Sequence, residues 1–298
     1  MTAGALQQLA VFSLVYPFLL QLEHPIHLWV HSYDAFIGLA VIVCFVVGPR
    51  WAFALEGLDP AATRRIMLIL CVATFAGGHV QYLINAWRFV LFRASTGDIG
   101  LLLVWGIHAP GAVLGLVLAG LLTLRWYRVP AGRFGDGLVP TVGLGIAIAR
   151  IGCFLNGCCY GTPCTWPWCI VFPEGSSAWN QHRFFGLIPL DGTHSAPVHP
   201  LQLYFSAVGL LITAVALWLH PRKRYDGQVT LVALVIFCAT SAALEELRAP
   251  FALRAYWRGI PQLSWVLFGM TVASICALLV AEFRHSRSVR TAAAPLPT

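Results

Sequence analysis

Arg150 stands at the end of a stretch, from Leu138 onward, that carries no other charge. A charge held within a bilayer costs about 2.5–3.5 kcal/mol on insertion scales, so it is kept where it has work to do or a partner to meet. The natural partner of a guanidinium is an anion, and a phosphate or carboxylate matches its planar fork with two hydrogen bonds. Gly152, Gly157 and Gly161 follow closely, and glycine lets backbone approach a ligand. The purely structural reading pairs Arg150 with an acid on another helix, with Glu245 the foremost candidate. His108 is a second reactive group in apolar surroundings. Imidazole is the side chain whose ordinary pKa suits proton transfer near neutrality. Tyr33 can donate or accept a hydrogen bond, although a tyrosine at a membrane boundary is commonly an anchor. Five of the nine cysteines (Cys153, Cys158, Cys159, Cys164 and Cys169) fall in one 17-residue window.

The elements that must position these groups are membrane spans. The 298 residues are 58% apolar and only 10% charged, against about 25% charged in a soluble domain. The fold class expected is all-α, a polytopic membrane protein of about seven transmembrane helices. Hydropathy places the spans near 29–47, 66–87, 99–124, 138–155, 199–219, 229–247 and 261–283, each close to the ~20 residues a bilayer requires. Pro49-Arg50 is expected to close the first span, and Asp59-Pro60 to cap the second. Residues 1–28 read as an interfacial segment. No cleavable signal is expected, because no basic region precedes the first apolar run. The organisation expected is a single membrane-embedded domain over 1–283, with an outward loop at about 156–198 and a disordered tail over 284–298.

Charge placement sets the orientation. The loops after spans one, three and five, with the final tail, carry twelve arginines and lysines, and the opposite side carries six. The positive-inside rule then puts the N-terminus outside and the C-terminus in the cytoplasm. The 156–198 loop and the Arg150 end of span four face the periplasm or exterior. The net charge of +7 is topological and does not point to nucleic acid. A seven-span retinal protein needs an intramembrane lysine for its Schiff base. The single lysine, Lys223, falls in a loop, which excludes that class.

Five segments, in order along the chain, carry a resemblance. Arg150-Ile151-Gly152-Cys153-Phe154-Leu155-Asn156-Gly157-Cys158-Cys159-Tyr160-Gly161 resembles the signature of prolipoprotein diacylglyceryl transferases, close to G-R-I-G-N-F-I-N-G-E-x-x-G. Cys153 stands where that family has Asn, and Cys158 where it has Glu. His31-Ser32-Tyr33-Asp34 is similar to the family's His-Trp-Tyr-Gly, and Gly106-Ile107-His108-Ala109 to its Phe-His-Gly-Gly segment. His199-Pro200-Leu201-Gln202-Leu203-Tyr204 resembles His-Pro-Ser-Gln-Leu-Tyr. Ser241 to Arg248 resembles Arg-x-x-x-Glu-x-x-Arg, with Glu245 and Arg248 matched and Ser241 in place of the first Arg. His79 replaces an arginine of the family in Gly77-Gly78-His79.

The resemblance implies transfer of a diacylglyceryl group from phosphatidylglycerol to the lipobox cysteine of a prolipoprotein, forming a thioether and releasing glycerol phosphate. The expected partners are phosphatidylglycerol, the prolipoprotein's signal-peptide region and membrane lipid. The location implied is the bacterial inner membrane. His108, Arg150 and Tyr33 match the catalytic positions. Arg150, His31, Asn156, Gly161, Gln202, Tyr204, Glu245 and Arg248 match substrate-binding positions. No cofactor and no metal is expected. Cys158, Cys159, Cys164 and Cys169 are expected to brace the outward loop with disulfides in an oxidising compartment, in pairings the spacing leaves open. A homologue with another lipid donor or acceptor, and a membrane thiol oxidoreductase built on the 153–169 cysteines, are the alternatives.

Overall fold

The computed structural model describes residues 18–22, 28–85, 87, 109–249 and 256–292. A short antiparallel ribbon comes first, β1 (Phe18–Leu22) paired with β2 (Leu28–His31). The long helices follow: α1 (Ser32–Glu56), α2 (Pro60–Asn85), α3 (Ala109–Trp126) and α4 (Ala131–Leu155). A loop holding the short α5 (Ser177–Phe184) leads to α6 (Leu201–Leu219) and α7 (Gln228–Glu246). A two-residue ribbon, β3 (Tyr256–Trp257) with β4 (Ile260–Pro261), precedes α8 (Gln262–Ala292). Six helices are long and apolar enough to cross a membrane, and Pro110–Trp126 is a shorter apolar helix. Large apolar side chains point outward along them, Leu122 and Leu279 among the most exposed. The protein is therefore an all-α, multi-pass membrane protein.

Several boundaries differ from hydropathy. The first helix does not stop at Pro49-Arg50 but runs through Pro49 to Glu56. The fourth begins at Ala131, seven residues before the apolar run, and carries Pro140 inside it. Proline is tolerated within such helices because neighbouring groups make good the lost backbone bond. The last helix continues past Phe283 to Ala292, through residues of the expected tail. Asp59 caps α2 as expected, its carboxylate accepting from the Ala62 amide at 2.8 Å.

Two compact units are distinguished by their contacts, Pro49–Gly137 on one hand and the remaining segments, up to Gly48 and from Leu138, on the other. Within Pro49–Gly137, α2 and α3 press together along small residues. A Cβ on Gly77 would strike the Gly111 carbonyl, and one on Gly115 the Ala73 carbonyl. Ala73 and Gly77, like Gly111 and Gly115, are four apart, the spacing by which membrane helices bring their backbones close. Arg133 meets Glu56 through its carboxylate, 3.5 Å away, and its backbone carbonyl.

In the other unit α4 packs on α6 through a second small-residue seam. A Cβ on Gly143 or on Gly209 would lie 2.6 Å from the other's carbonyl. The Ser206 hydroxyl donates to the Ala147 carbonyl at 3.0 Å and Thr213 to the Pro140 carbonyl at 2.9 Å. The seam continues into α1, where Cys44 crosses against Gly145 and Phe36 against Gly152. Val208, Ile212 and Ala233 bury the contact with α7.

The 156–198 loop has a core of its own, built from Phe154, Tyr160, Ile170, Phe172, Ala178 and Val198. Ser176 caps α5 through the Trp179 amide, and Trp179 donates its indole N–H to the Gly192 carbonyl at 2.7 Å. Burial pushes the Tyr160 phenol up to about 12, and that phenol donates to Gln181 at 2.8 Å. Cys164 and Cys169 form a disulfide.

Candidate functional site

The end of α4 builds the site's frame. The Gly157 amide donates to the Phe154 carbonyl at 3.0 Å, and the Cys158 amide to the Cys153 carbonyl at 3.1 Å. These two bonds are a Schellman cap, which needs a left-handed residue just after the helix. Gly157 supplies it at φ +67°, and its side-chain space is closed by Ser176 and Phe172. A left-handed residue with a side chain stands two positions on, Cys159 at φ 60°.

Beyond this turn the chain is tied to the ends of two other helices. The Gly161 amide donates to the His199 carbonyl at 3.0 Å, and the His199 amide returns to the Thr162 carbonyl at 3.1 Å. The Thr162 amide donates to the Leu247 carbonyl at 2.7 Å, and the Ala249 amide to the Tyr160 carbonyl at 3.3 Å. Gly161 is crowded by this clamp. A Cβ there would lie 2.7 Å from both the His199 Cβ and the Leu247 carbonyl. The start of α6 and the end of α7 are thereby fixed against the end of α4.

The side chains inside this frame are polar and partly unsatisfied. Gln202 is fully buried and donates through Nε2 to the Cys158 carbonyl at 2.7 Å. Its Oε1 has no hydrogen-bond partner among the described residues. Arg150 lays its guanidinium over the Phe205 ring, 4.5 Å from the centroid, a cation–π contact. Among the described residues it makes no ion pair. Glu245, the acid expected as its structural partner, is instead bridged to Arg248 at 3.1 Å. Tyr204 meets His199 across 3.3 Å. Gly152 sits on α1 beside the Tyr33 carbonyl and Phe36, which places Tyr33 at the same end of the bundle. Its phenol lies within electrostatic range of Cys153, Cys158 and Cys159.

The cysteines divide in a way the loop-bracing expectation does not capture. The disulfide takes Cys164 and Cys169. Cys158 and Cys159 are left out of it as free thiols, and with Cys153 their sulfurs lie within 4.8 Å of one another. Hydrogen bonds from the Cys153 and Cys158 thiols hold Cys159 well below the usual thiol range. Burial opposes the shift, and the Arg150 and Arg248 guanidiniums add to it.

Arg150, Asn156, Gly161, Gln202, Tyr204, Glu245, Arg248 and Tyr33 are thus gathered at the joined ends of α1, α4, α6 and α7. His31 closes β2, and His108 lies outside the described residues. Sequence reasoning missed Phe205, whose place three residues after Gln202 on a helix was the available signal, and it did not group Cys153 with Cys158 and Cys159 as one trio.

Residues 17–281 match the family model described as prolipoprotein diacylglyceryl transferase. The chain belongs to this family. Similar curated proteins carry the name phosphatidylglycerol–prolipoprotein diacylglyceryl transferase. The one from Nitrosomonas europaea is 30% identical over 254 residues, covering 84% of this chain and 82% of its own length. The one from Idiomarina loihiensis is 26% identical over 262 residues, 86% of this chain and 91% of its own. A third, from Bordetella avium, is 28% identical over 213 residues, 71% and 74%. Diacylglyceryl transferase membership accounts for the order of the motifs, and the backbone clamp explains why three of them must meet.

Proposed function

We propose that this chain transfers the diacylglyceryl group of phosphatidylglycerol to a prolipoprotein thiol, with Arg150 as the phosphate-holding cation. The transferred carbon exchanges its phosphate ester oxygen for sulfur, and glycerol phosphate leaves. Charge grows on the departing phosphate, so a fixed cation aimed at it lowers the barrier. One observation carries the assignment: the Arg150 guanidinium rests on an aromatic face and meets no carboxylate among the described residues. An ionised group so placed favours an anionic ligand.

Arg248 is a second, weaker contributor, because Glu245 already neutralises much of its charge. Gln202 offers its open amide oxygen to a donor on the lipid head group. Gly161 and Asn156 shape the turn against which that head group lies. His108 is the proton acceptor for the incoming thiol, and Tyr33 its hydrogen-bond partner. His31 and Tyr204 are carried over as substrate-binding positions from the family's motifs. The body works as one domain in the bacterial inner membrane, N-terminus outside, with the 156–198 loop on the periplasmic face and the signal-peptide region of the prolipoprotein entering from the lipid.

The test is the Arg150→Ala variant in membranes, assayed for labelled diacylglyceryl transfer to a lipobox peptide. Removal of one such charge-stabilising group costs about 10²–10³ in rate. Arg150→Lys, which keeps the charge and loses the fork, is expected to fall between the two. Unchanged transfer by Arg150→Ala removes it from the mechanism. Rescue of cells depleted of their own transferase by the wild-type chain, and not by the alanine variant, tests the activity as a whole.

A further inference from the structure

We propose that Cys153, Cys158 and Cys159 form a three-thiolate site for one soft cation of the Cu(I) or Zn²⁺ class. Their sulfurs already lie within 4.8 Å of one another. An ion at the usual metal–sulfur distance of about 2.3 Å, in the plane of three sulfurs, would hold them about 4.0 Å apart. The closure needed is below about 1 Å, which rotation about side-chain bonds supplies. Thiolates are the donor class that selects such ions.

The frame that delivers the three sulfurs is built by the backbone. The Schellman cap sets the Cys158 amide on the Cys153 carbonyl, and the Cys158 sulfur lies 3.7 Å from that same oxygen. The residues at these two positions ordinarily make an apolar contact across the cap. Two cysteines satisfy that need by themselves. Cys159 is not required by the cap, yet it adopts a left-handed conformation that L side chains avoid. Its sulfur joins the other two. Gln202 locks the turn from α6 through the Cys158 carbonyl.

The surroundings suit a charged centre. Three thiolates around one cation leave a net negative charge, and the Arg150 and Arg248 guanidiniums lie within electrostatic reach of Cys159. The nearby Cys164 and Cys169 are already bonded to each other, so the trio is odd in number and cannot close fully into disulfides. Among the described residues no fourth Cys, His, Asp or Glu joins the cluster. A trigonal ion needs none, and a tetrahedral one would take its fourth ligand from outside the cluster.

The full chain, purified in nanodiscs under reducing conditions and then freed of metal, is titrated with Cu(I) in one arm and Zn²⁺ in the other. One equivalent of one ion should bind and shield all three thiols from alkylation, read residue by residue by peptide mass. The metal-free chain, alkylated in parallel, gives the reference reactivity of the same three thiols. X-ray absorption should show three sulfur neighbours at about 2.3 Å. The Cys153→Asn/Cys158→Glu double variant, which restores the residue types of the signature, should remain folded by circular dichroism and lose at least a hundredfold in affinity. The site is disproved by unshielded thiols in both arms, by equal binding in the double variant, or by a disulfide between any two of the three cysteines. None of these readouts depends on transferase activity.

Discussion

The α2–α3 pair and the α4–α6 pair are closed by the same device and used differently. Both bring backbones together over small residues, Gly77, Gly111 and Gly115 in one, Gly143 and Gly209 facing each other in the other. Among the described residues only the second seam adds side-chain hydroxyls that donate across it, from Ser206 and Thr213. That seam also ends in the clamp around Gly161. Close approach alone tells which helices touch. The added hydrogen bonds fix their rotation and sliding, which a site at one end demands.

The sharpest way to break this comparison is to overfill each seam. Gly209→Val and Gly115→Val each drive a side chain into backbone that cannot yield. Each is expected to destabilise by about 3 kcal/mol, the upper part of the range for overpacking, seen as a lowered melting temperature. Gly209→Val is expected to abolish transfer even in the fraction that remains folded, because α6 carries Gln202 and Phe205. Equal residual activity per folded molecule in the two variants would erase the distinction.

A smaller effect is expected at Gln202→Leu. The Cys158 carbonyl loses its donor, and an unsatisfied buried group costs about 1–3 kcal/mol. Transfer should fall more than stability does, since the turn would relax away from Arg150. Thermal unfolding compared with the initial rate of transfer separates the two.

The mildest expectation concerns pH. His182 is buried, accepts from the Ala196 amide at Nδ1 and packs against the Tyr160 ring, 5.2 Å between centroids. Burial holds its pKa below the ordinary histidine value. The unfolded loop binds the proton more readily, so the loop's stability is full above about pH 6.5 and declines as the pH falls through that value. Protection factors across residues 170–198, taken relative to the intrinsic exchange rate, should fall on acidification, and His182→Gln should flatten the dependence. Faster exchange on raising the pH beyond the intrinsic chemical rate would refute it.

Much of this architecture was legible from hydropathy, because a span's length is set by the bilayer. The helix ends were less so. Pro49 reads as the close of the first span, yet it lies inside α1, as Pro140 lies inside α4. Arg150, Gln202 and Arg248 were found through motif spacing, and their meeting is a backbone effect that spacing does not encode. In the fold Pro110 lies in the first turn of α3 and Gly111 is a packing contact with Gly77. Which glycines pair across two helices depends on knowing which helices are neighbours. The cysteine division was hidden for a similar reason, since Cys153 belongs to a helix and its partners to a turn.

The stitching of Tyr160, Gly161 and Thr162 to His199, Leu247 and Ala249 limits how substrates get in and out. The 156–198 loop is sewn to two helix ends and cannot swing free as a hinged cover. Lifting it would shear four main-chain bonds at once. On the proposed function, phosphatidylglycerol and the acceptor thiol would then enter between helices, past a loop that stays where it is.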